Sequence, residues 1–326
     1  MKLIYEKLLK KGSRGLDVHK LQSALTDLGY DLKGIDGIFG PITDTVVRSF
    51  QKNNNLVVDG LVGPNTIRAI NANLIGSGLA NPDVPSIYRK EVHFSSDVHI
   101  LDFDKNYHID LDLGKRGVLE TVSSVVKKKY SLNSNIVAGI NAGFFVFNSD
   151  REHLGLLIDD GLYYNPPSAD FMDMIYYKDG TVDIVNLFKY DKTQLSNLQR
   201  EAYWAIGTSY TVVQDGKINL QNSEKFDHSK YRNPRTLLGV KDDGSFLFVV
   251  VDGRRSTSLG VTAQQSGSIM QYLGAKHAVN LDGGGSSTMV VIENDRVIVK
   301  NRPSNAGGSE RRVGSMMLAY EKRGVS

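Results

Sequence analysis

Two eight-residue strings constrain this chain more than any other feature. Asp36-Gly37-Ile38-Phe39-Gly40-Pro41-Ile42-Thr43 recurs as Asp59-Gly60-Leu61-Val62-Gly63-Pro64-Asn65-Thr66. In each string Asp-Gly makes a turn, because Asp bonds its own backbone and Gly accepts positive φ. Gly-Pro then opens a helix, since proline at the first helical position has φ preset and needs no donor. The first copy runs into Val46, Val47 and Phe50 at helical spacing, and the second into Ile67 and Ile70. Upstream, Val18, Leu21, Leu25 and Leu28 form the apolar face of a helix that Gly29 ends. The pattern predicts three short helices held by two matched turns over residues 1–75.

The texture then changes. Residues 76–90 read as a linker, loosened by Gly76, Ser77 and Gly78 and stiffened by Pro82 and Pro85. From residue 91 to 326, short β-rich runs alternate with turns. They are Val98–Leu101, Ile136–Ile140, Met174–Tyr177, Phe246–Val251 and Met289–Ile292. A helix is expected over Gln264–Leu273. Asp179-Gly180, Asp215-Gly216 and Asp243-Gly244 are turn signals, two of them joining hairpins. Regular βαβ alternation is absent, which predicts an α+β domain of mixed or antiparallel sheets behind a small all-α module.

The 326 residues suit one small and one ordinary domain, and 40% apolar content is ample for packed cores. No apolar run reaches the roughly 18 residues a membrane span needs. With no cysteine, disulfides and thiolate metal sites are excluded. The net charge of +3 comes from residues 1–75, with ten Lys/Arg against seven Asp/Glu. No dense basic patch carries interleaved aromatics, so nucleic acid is not an expected partner.

Five segments hold residues able to do chemistry. The densest is Asn280-Leu281-Asp282-Gly283-Gly284-Gly285-Ser286-Ser287-Thr288-Met289, a carboxylate beside backbone that a ligand can approach closely. Its amides are candidates for holding anionic oxygens. It is neither a Walker loop nor a Gly-x-Gly-x-x-Gly loop. Val251-Asp252-Gly253-Arg254 ends an apolar run on a carboxylate and a cation. Asn233-Pro234-Arg235-Thr236 offers arginine, the planar and permanently charged partner for phosphate. Ile140-Asn141-Ala142-Gly143-Phe144-Phe145 again ends an apolar run on a polar residue. Asn301-Arg302-Pro303-Ser304 and Glu310-Arg311-Arg312-Val313 close the set. The seven histidines are scattered, with no His-Glu-x-x-His, and read as structural. His228 alone adjoins the basic run Lys230–Arg235. Trp204 and the paired Tyr163-Tyr164 read as core aromatics.

Two resemblances follow. Lys11–Gly15, Val18, Leu21–Leu25, Gly29-Tyr30, Phe50-Gln51 and the two repeated strings, in that order, resemble the three-helix peptidoglycan-binding domain over about residues 11–72. That implies peptidoglycan as a partner. The segments Ile140–Phe145, Pro234–Gly239, Val251–Arg254, Ser258–Thr262, Asn280–Met289 and Glu310–Val313 resemble the phosphodiester glycosidase family over about residues 91–322. This is the family of N-acetylglucosamine-1-phosphodiester α-N-acetylglucosaminidase. The stretch Asn305–Ser309 before Glu310 is longer than the family pattern leads one to expect.

The second resemblance implies a hydrolase that cuts a sugar from a phosphodiester. Such cleavage passes through an oxocarbenium-like state. The leaving phosphate is a weak base, with a second pKa of about 6, so a positive clamp and a facing carboxylate matter more than a strong acid. On this reading Asp282 is the main catalytic carboxylate, with Asp252 and Glu310 as further catalytic candidates and Asp252 cast as second carboxylate or orienter. Arg235 and Arg254 hold the phosphate, and Asn141, Gly143, Thr236, Gly283, Gly284, Gly285, Ser286, Ser287 and Arg311 bind substrate. No cofactor signature is present, and a divalent cation bridging Asp282 to phosphate is left open. The two domains together predict action at the cell wall, on peptidoglycan and an anionic wall polymer, with the teichoic acid–peptidoglycan linkage as the target bond. The N-terminal residues Met1–Lys7 lack an apolar signal region, which predicts a phage lysis-associated protein released through a pore. Two rivals are a non-catalytic wall-adhesion protein and a conventional peptidoglycan hydrolase.

Overall fold

A computed structural model describes residues 8–63, 65–67, 69–70, 73, 87–113, 118–132, 135–146 and 153–322. The chain divides into two compact units, 1–86 and 87–326. The expected linker 76–90 is only partly testable. Residues 76–86 lie outside the described residues, whereas Tyr88 to Lys90 are already in the first strand of the second unit.

In the first unit, α1 (Leu16–Asp27) and α2 (Pro41–Asn53) form as the repeat predicts, with Pro41 at the start of α2. Residues 65–67, 69–70 and 73 are helical after the second turn. A polar bolt closes each turn. Gln22 of α1 donates through Nε2 to Asp36 Oδ1 (2.9 Å), the Ile38 carbonyl (3.1 Å) and Thr43 Oγ1 (3.2 Å), while its Oε1 accepts from Gly37 N (2.8 Å). Gln51 of α2 repeats this, donating to Asp59 Oδ1 (2.9 Å), the Leu61 carbonyl (2.9 Å) and Thr66 Oγ1 (3.2 Å) and accepting from Gly60 N (2.9 Å). Both glutamines are buried, so satisfying every amide atom removes the cost of desolvating them. Around them Val18, Leu21, Leu25, Phe39, Val47, Phe50, Val62 and Ile70 make the core.

The second unit is built from three antiparallel sheets. Its strands are β1 (Tyr88–His93), β2 (Ser96–Asp102), β3 (Tyr107–Asp112), β4 (Ile136–Asn141), β5 (Leu157–Asp159), β6 (Leu162–Asn165), β7 (Met172–Tyr177), β8 (Val182–Val185), β9 (Ala202–Thr208), β10 (Tyr210–Gln214), β11 (Lys217–Ile218), β12 (Arg235–Lys241), β13 (Phe246–Val251), β14 (Ala275–Asn280), β15 (Met289–Glu293), β16 (Arg296–Val299) and β17 (Met316–Glu321). The sheet orders are β1-β2-β13-β12-β14-β10-β11, β16-β15-β4-β17-β3 and β6-β5-β9-β7-β8. Every paired strand runs antiparallel to its neighbour, which narrows the expected mixed-or-antiparallel class. All three Asp-Gly signals, rather than two, sit in hairpins: β7–β8, β10–β11 and β12–β13.

The sheets share one core, and a helix covers the outer face of each. Strand periodicity makes this possible. In β13, Phe246, Phe248 and Val250 point into the shared core, whereas Leu247, Val249 and Val251 point to the opposite face. There they meet Ile269 and Met270 of α5 (Ala263–Tyr272), one residue earlier than expected. Val122, Val125 and Val126 of α3 (Val122–Ser131) cover the second sheet, and Leu198 of α4 (Lys192–Glu201) the third. Trp204 is fully buried in the shared core as expected, donating to the Ile109 carbonyl (3.0 Å). Tyr163 and Tyr164 are exposed instead, because β6 is an edge strand whose ring-bearing faces nothing covers among the described residues.

Candidate active site

The antiparallel register brings three candidate segments to one place. Arg235 at the start of β12 pairs with Val251 at the end of β13, and Leu237 pairs with Asn280 at the end of β14. The loops after β13 and β14 therefore emerge together beside the entry to β12. From the second sheet, β4 ends at the same point. Asp282 N donates to the Ala142 carbonyl (2.9 Å), and Asn141 Nδ2 donates to the Asp282 carbonyl (2.6 Å).

Asp282 is partly exposed at the head of the Gly-rich loop. Burial of its carboxyl pushes the pKa up to about 6, against the opposing pull of Ser286, the Arg311 guanidinium and the Gly283 amide. Arg311 Nη1 also donates to Ser286 Oγ (3.3 Å), so one hydroxyl joins the acid to the cation.

The glycines serve a purpose the sequence did not reveal. Four loop amides have partners: Gly283 on Asp282, Gly284 on the Pro234 carbonyl (3.0 Å), Ser286 on the Gly283 carbonyl (3.1 Å) and Ser287 on the Gly284 carbonyl (3.3 Å). A Cβ on Gly284, whose φ is +59°, would meet Arg254 Nη2 at 3.1 Å. One on Gly285 would overlap Arg311 Nη2 and Asn305 Oδ1. The missing side chains thus make room for two guanidiniums against the loop backbone. Arg254 is exposed, donates to Asn233 Oδ1 (3.2 Å) and has φ +59°. A left-handed arginine costs of order 1 kcal/mol, and such outliers cluster at functional sites.

The protein itself holds several of the other predicted residues. Asp252 is 3% exposed and already saturated. Its Oδ1 accepts from Arg302 N (3.0 Å) and Asn301 Nδ2 (3.3 Å), its Oδ2 accepts from Arg255 Nη2 (2.6 Å), and His99 Nε2 lies 3.5 Å away. Burial works against its charge, but His99, the Arg302 amide and Arg255 together hold its pKa below the usual carboxylate range. Its oxygens anchor Asn301, Arg302 and Arg255. Glu310 caps α3, accepting from Ser123 N (3.1 Å) through Oε2. A carboxylate there is favoured by the helix N-terminus. Arg235 is 1% exposed. Its Nε donates to the Val261 carbonyl (3.1 Å) and its Nη2 to the carbonyls of His228 (2.7 Å) and Tyr231 (3.0 Å). It pins these loop carbonyls together. Asn141 is fully buried, its Oδ1 accepting from Thr236 Oγ1 (2.8 Å) and Thr288 N (3.0 Å) while its Nδ2 donates to the Asp282 carbonyl. Thr236 is spent on the same bond, and Gly143 N on Ser315 Oγ (2.9 Å). Ser287 is buried with its hydroxyl unpartnered.

Sequence reasoning missed Asn301, Asn305 and Ser315 as loop supports. Asn301 Nδ2 donates to the Ser287 carbonyl (2.9 Å) and its Oδ1 accepts from Met289 N (2.8 Å). The over-long stretch Asn305–Ser309 was the available signal. Among the described residues no group of three or more His, Asp or Glu side chains is arranged to hold a metal ion, and no helix is long and apolar enough to cross a membrane.

Comparison with known proteins now decides the lineage. The model of the phosphodiester glycosidase family matches residues 134–320, more than half of the chain. The chain belongs to the phosphodiester glycosidase family. Residues 14–70 match the model of a peptidoglycan binding domain. The catalytic domain of zebrafish N-acetylglucosamine-1-phosphodiester α-N-acetylglucosaminidase, auto-inhibited by its pro-peptide, shares the fold. Its TM-score is 0.55 at 20% identity, over 72% of this chain and 82% of that one. The SPbeta prophage-derived uncharacterized protein YomE of Bacillus subtilis is 31% identical over 176 residues, 53% of this chain and 26% of its own length. The spore cortex-lytic enzyme of Halalkalibacterium halodurans is 42% identical over 59 residues, 18% of each protein. The chain thus spans about a quarter or less of these curated relatives. Overall it joins a wall-binding module to a glycosidase-family domain.

Proposed function

We propose that residues 87–326 hydrolyse a sugar-1-phosphodiester of GlcNAc-1-phosphate type, and that the N-terminal module holds them on a wall polymer containing that bond. The observation that carries the reading is Asp282, a partly exposed carboxyl between Ser286 and Arg311 with its pKa pushed up to about 6. That value lies near neutrality, where a carboxylate best trades protons with a reacting group. Asp252 and Glu310 are committed elsewhere, so Asp282 is the carboxylate that faces the anomeric carbon. Arg254 and Arg311 flank the loop and take the leaving phosphate, the role first expected of Arg235. Water adds to the anomeric carbon, the bond from that carbon to the phosphate oxygen breaks, and the phosphate departs as a monoester. Its low basicity makes a separate general acid unnecessary.

In Gram-positive walls the fitting bond is the sugar-1-phosphate that joins teichoic acid to a muramic acid hydroxyl. Peptidoglycan recognition by one unit and sugar-1-phosphodiester cleavage by the other meet at that linkage. The test uses purified walls and the full chain. Teichoic polymer should be released, with phosphate left on muramic acid. Asp282→Asn should bind walls and release nothing. Release of muropeptides alone identifies a conventional peptidoglycan hydrolase, and binding by the parent chain without any release identifies an adhesion protein. Either result overturns the proposal.

A further inference from the structure

The segment after β16 reaches the Gly-rich loop through two asparagines. Asn301 holds the loop's far end at Ser287 and Met289, and is itself held by Asp252. Asn305 is different, because one amide group reaches two elements. Its Nδ2 donates to the Gly285 carbonyl (2.9 Å) and to the Ser309 carbonyl (3.1 Å). Gly285 adjoins Ser286, which bonds the Asp282 carboxyl, and Ser309 ends the turn that leads into Arg311. Asn305 therefore ties together the two strands of backbone that deliver Ser286 and Arg311 to the same acid. We propose that Asn305 is a positioning residue for Asp282, fixing the distance between the Gly-rich loop and the 306–311 segment so that hydroxyl and guanidinium converge on one carboxylate.

This role follows from geometry. A backbone carbonyl inside a tight Gly-rich turn has no side chain of its own to keep it in place, and glycine pays the largest conformational entropy of any residue when ordered. Two donors from one short amide supply that order. The bond to Ser309 then transmits any slackening of the turn directly to Arg311. Asn305 is only half-buried, so its removal leaves the shared core untouched. The run of small residues Ala306-Gly307-Gly308 completes the device. Gly307 and Gly308 have φ of +68° and +73°, which lets the chain reverse tightly enough for the Ser309 carbonyl to face Asn305.

The proposal rests on Asp282 being the reacting carboxylate, so the experiment reads Asp282 itself as well as turnover. The full chain, labelled with 13C at the aspartate carboxyl, is titrated by NMR, with Asp282→Asn assigning the resonance. In Asn305→Ala the Asp282 midpoint should rise by about 0.5 unit or more, since loosening Ser286 and Arg311 withdraws the groups that stabilise the anion. On the methyl phosphodiester of GlcNAc-1-phosphate, kcat should fall about tenfold while KM changes less than about twofold, the pattern of a lost transition-state contact. Asn305→Ser, too short to reach both carbonyls, should do the same. An unchanged midpoint together with unchanged kcat overturns the proposal. So does failure of both variants to fold, which would make Asn305 a fold-holding residue. A midpoint that moves in a protein whose parent form does not cleave the phosphodiester keeps the positioning role and refutes the substrate reading.

Discussion

Gly285→Ala separates the reading of the Gly-rich loop from the ordinary view that its glycines only make a turn. The added Cβ would lie closer than 3.0 Å to both Arg311 Nη2 and Asn305 Oδ1. Both atoms are ends of flexible side chains, so the side chains yield and the backbone holds. Gly285 is absent from the positive-φ residues, so alanine adopts its conformation without backbone strain. Stability should change little, since a gain of roughly 0.4–1 kcal/mol from a stiffer unfolded chain offsets the displaced contacts. Activity should change much more. Moving Arg311 by about 1 Å breaks its bond to Ser286 and withdraws it from Asp282. A hydrogen bond to a charged group contributes about 1.5–3 kcal/mol, which corresponds to a loss of roughly 10- to 150-fold in kcat. The pH–rate limb belonging to Asp282 should move up, because Arg311 is one of the groups opposing its raised pKa. The assay is turnover of a GlcNAc-1-phosphodiester between pH 4 and 9, beside a thermal melt. Full activity with an unmoved limb would refute the account of the loop, and so would a variant that does not fold.

Two further outcomes follow from the site. Asp282→Asn should abolish turnover and raise stability at neutral pH. A carboxyl whose pKa is raised from 3.8 to about 6 stabilises the fold below pH 4 and loses that contribution as pH climbs through 6. The stability difference between parent and variant should accordingly grow from pH 4 to pH 7 in urea titrations, and a constant difference would contradict it. Arg254→Ala and Arg235→Ala should divide function from folding. The first should leave the melting temperature within a few degrees and cut phosphodiester turnover about 10-fold or more. The second leaves three buried or half-buried carbonyl bonds unmade and should destabilise by about 3 kcal/mol or more. Equal losses of melting temperature in both would remove Arg254 from the site.

The segments that meet at the Gly-rich loop were more legible in the sequence than the partners each of their residues takes. The Asp-Gly and Gly-Pro strings specify their own turns through local bonds, so the module was legible residue by residue. Strand identity was legible too, since apolar runs such as Phe246–Val251 admit few alternatives. Asp252, Glu310, Arg235 and Asn141 show what a local pattern does not reach. Each is polar and is held in the fold by partners outside its own motif. Glu310 meets Ser123 across 187 residues, and Asn141 meets Thr288 across 147. No local pattern distinguishes a polar side chain that waits for substrate from one already saturated by such distant partners. Three glycines follow Asp282, and these mark a backbone that other groups approach closely.

The paired glutamine bolts carry a consequence for how the wall-binding module is assembled. Helix α2 supplies Thr43 to the first bolt and Gln51 to the second, so it closes one unit and opens the next. The copies interlock and cannot be separated by a cut between them. The repeat advances by 59 − 36 = 23 residues, the length of one turn and one helix. A module built this way lengthens one helix at a time, each new helix bringing the threonine that its predecessor's glutamine requires. Truncation behaves in the same stepwise fashion. Removing the last helix takes from Gln51 only its contact with Thr66, and leaves the first bolt closed.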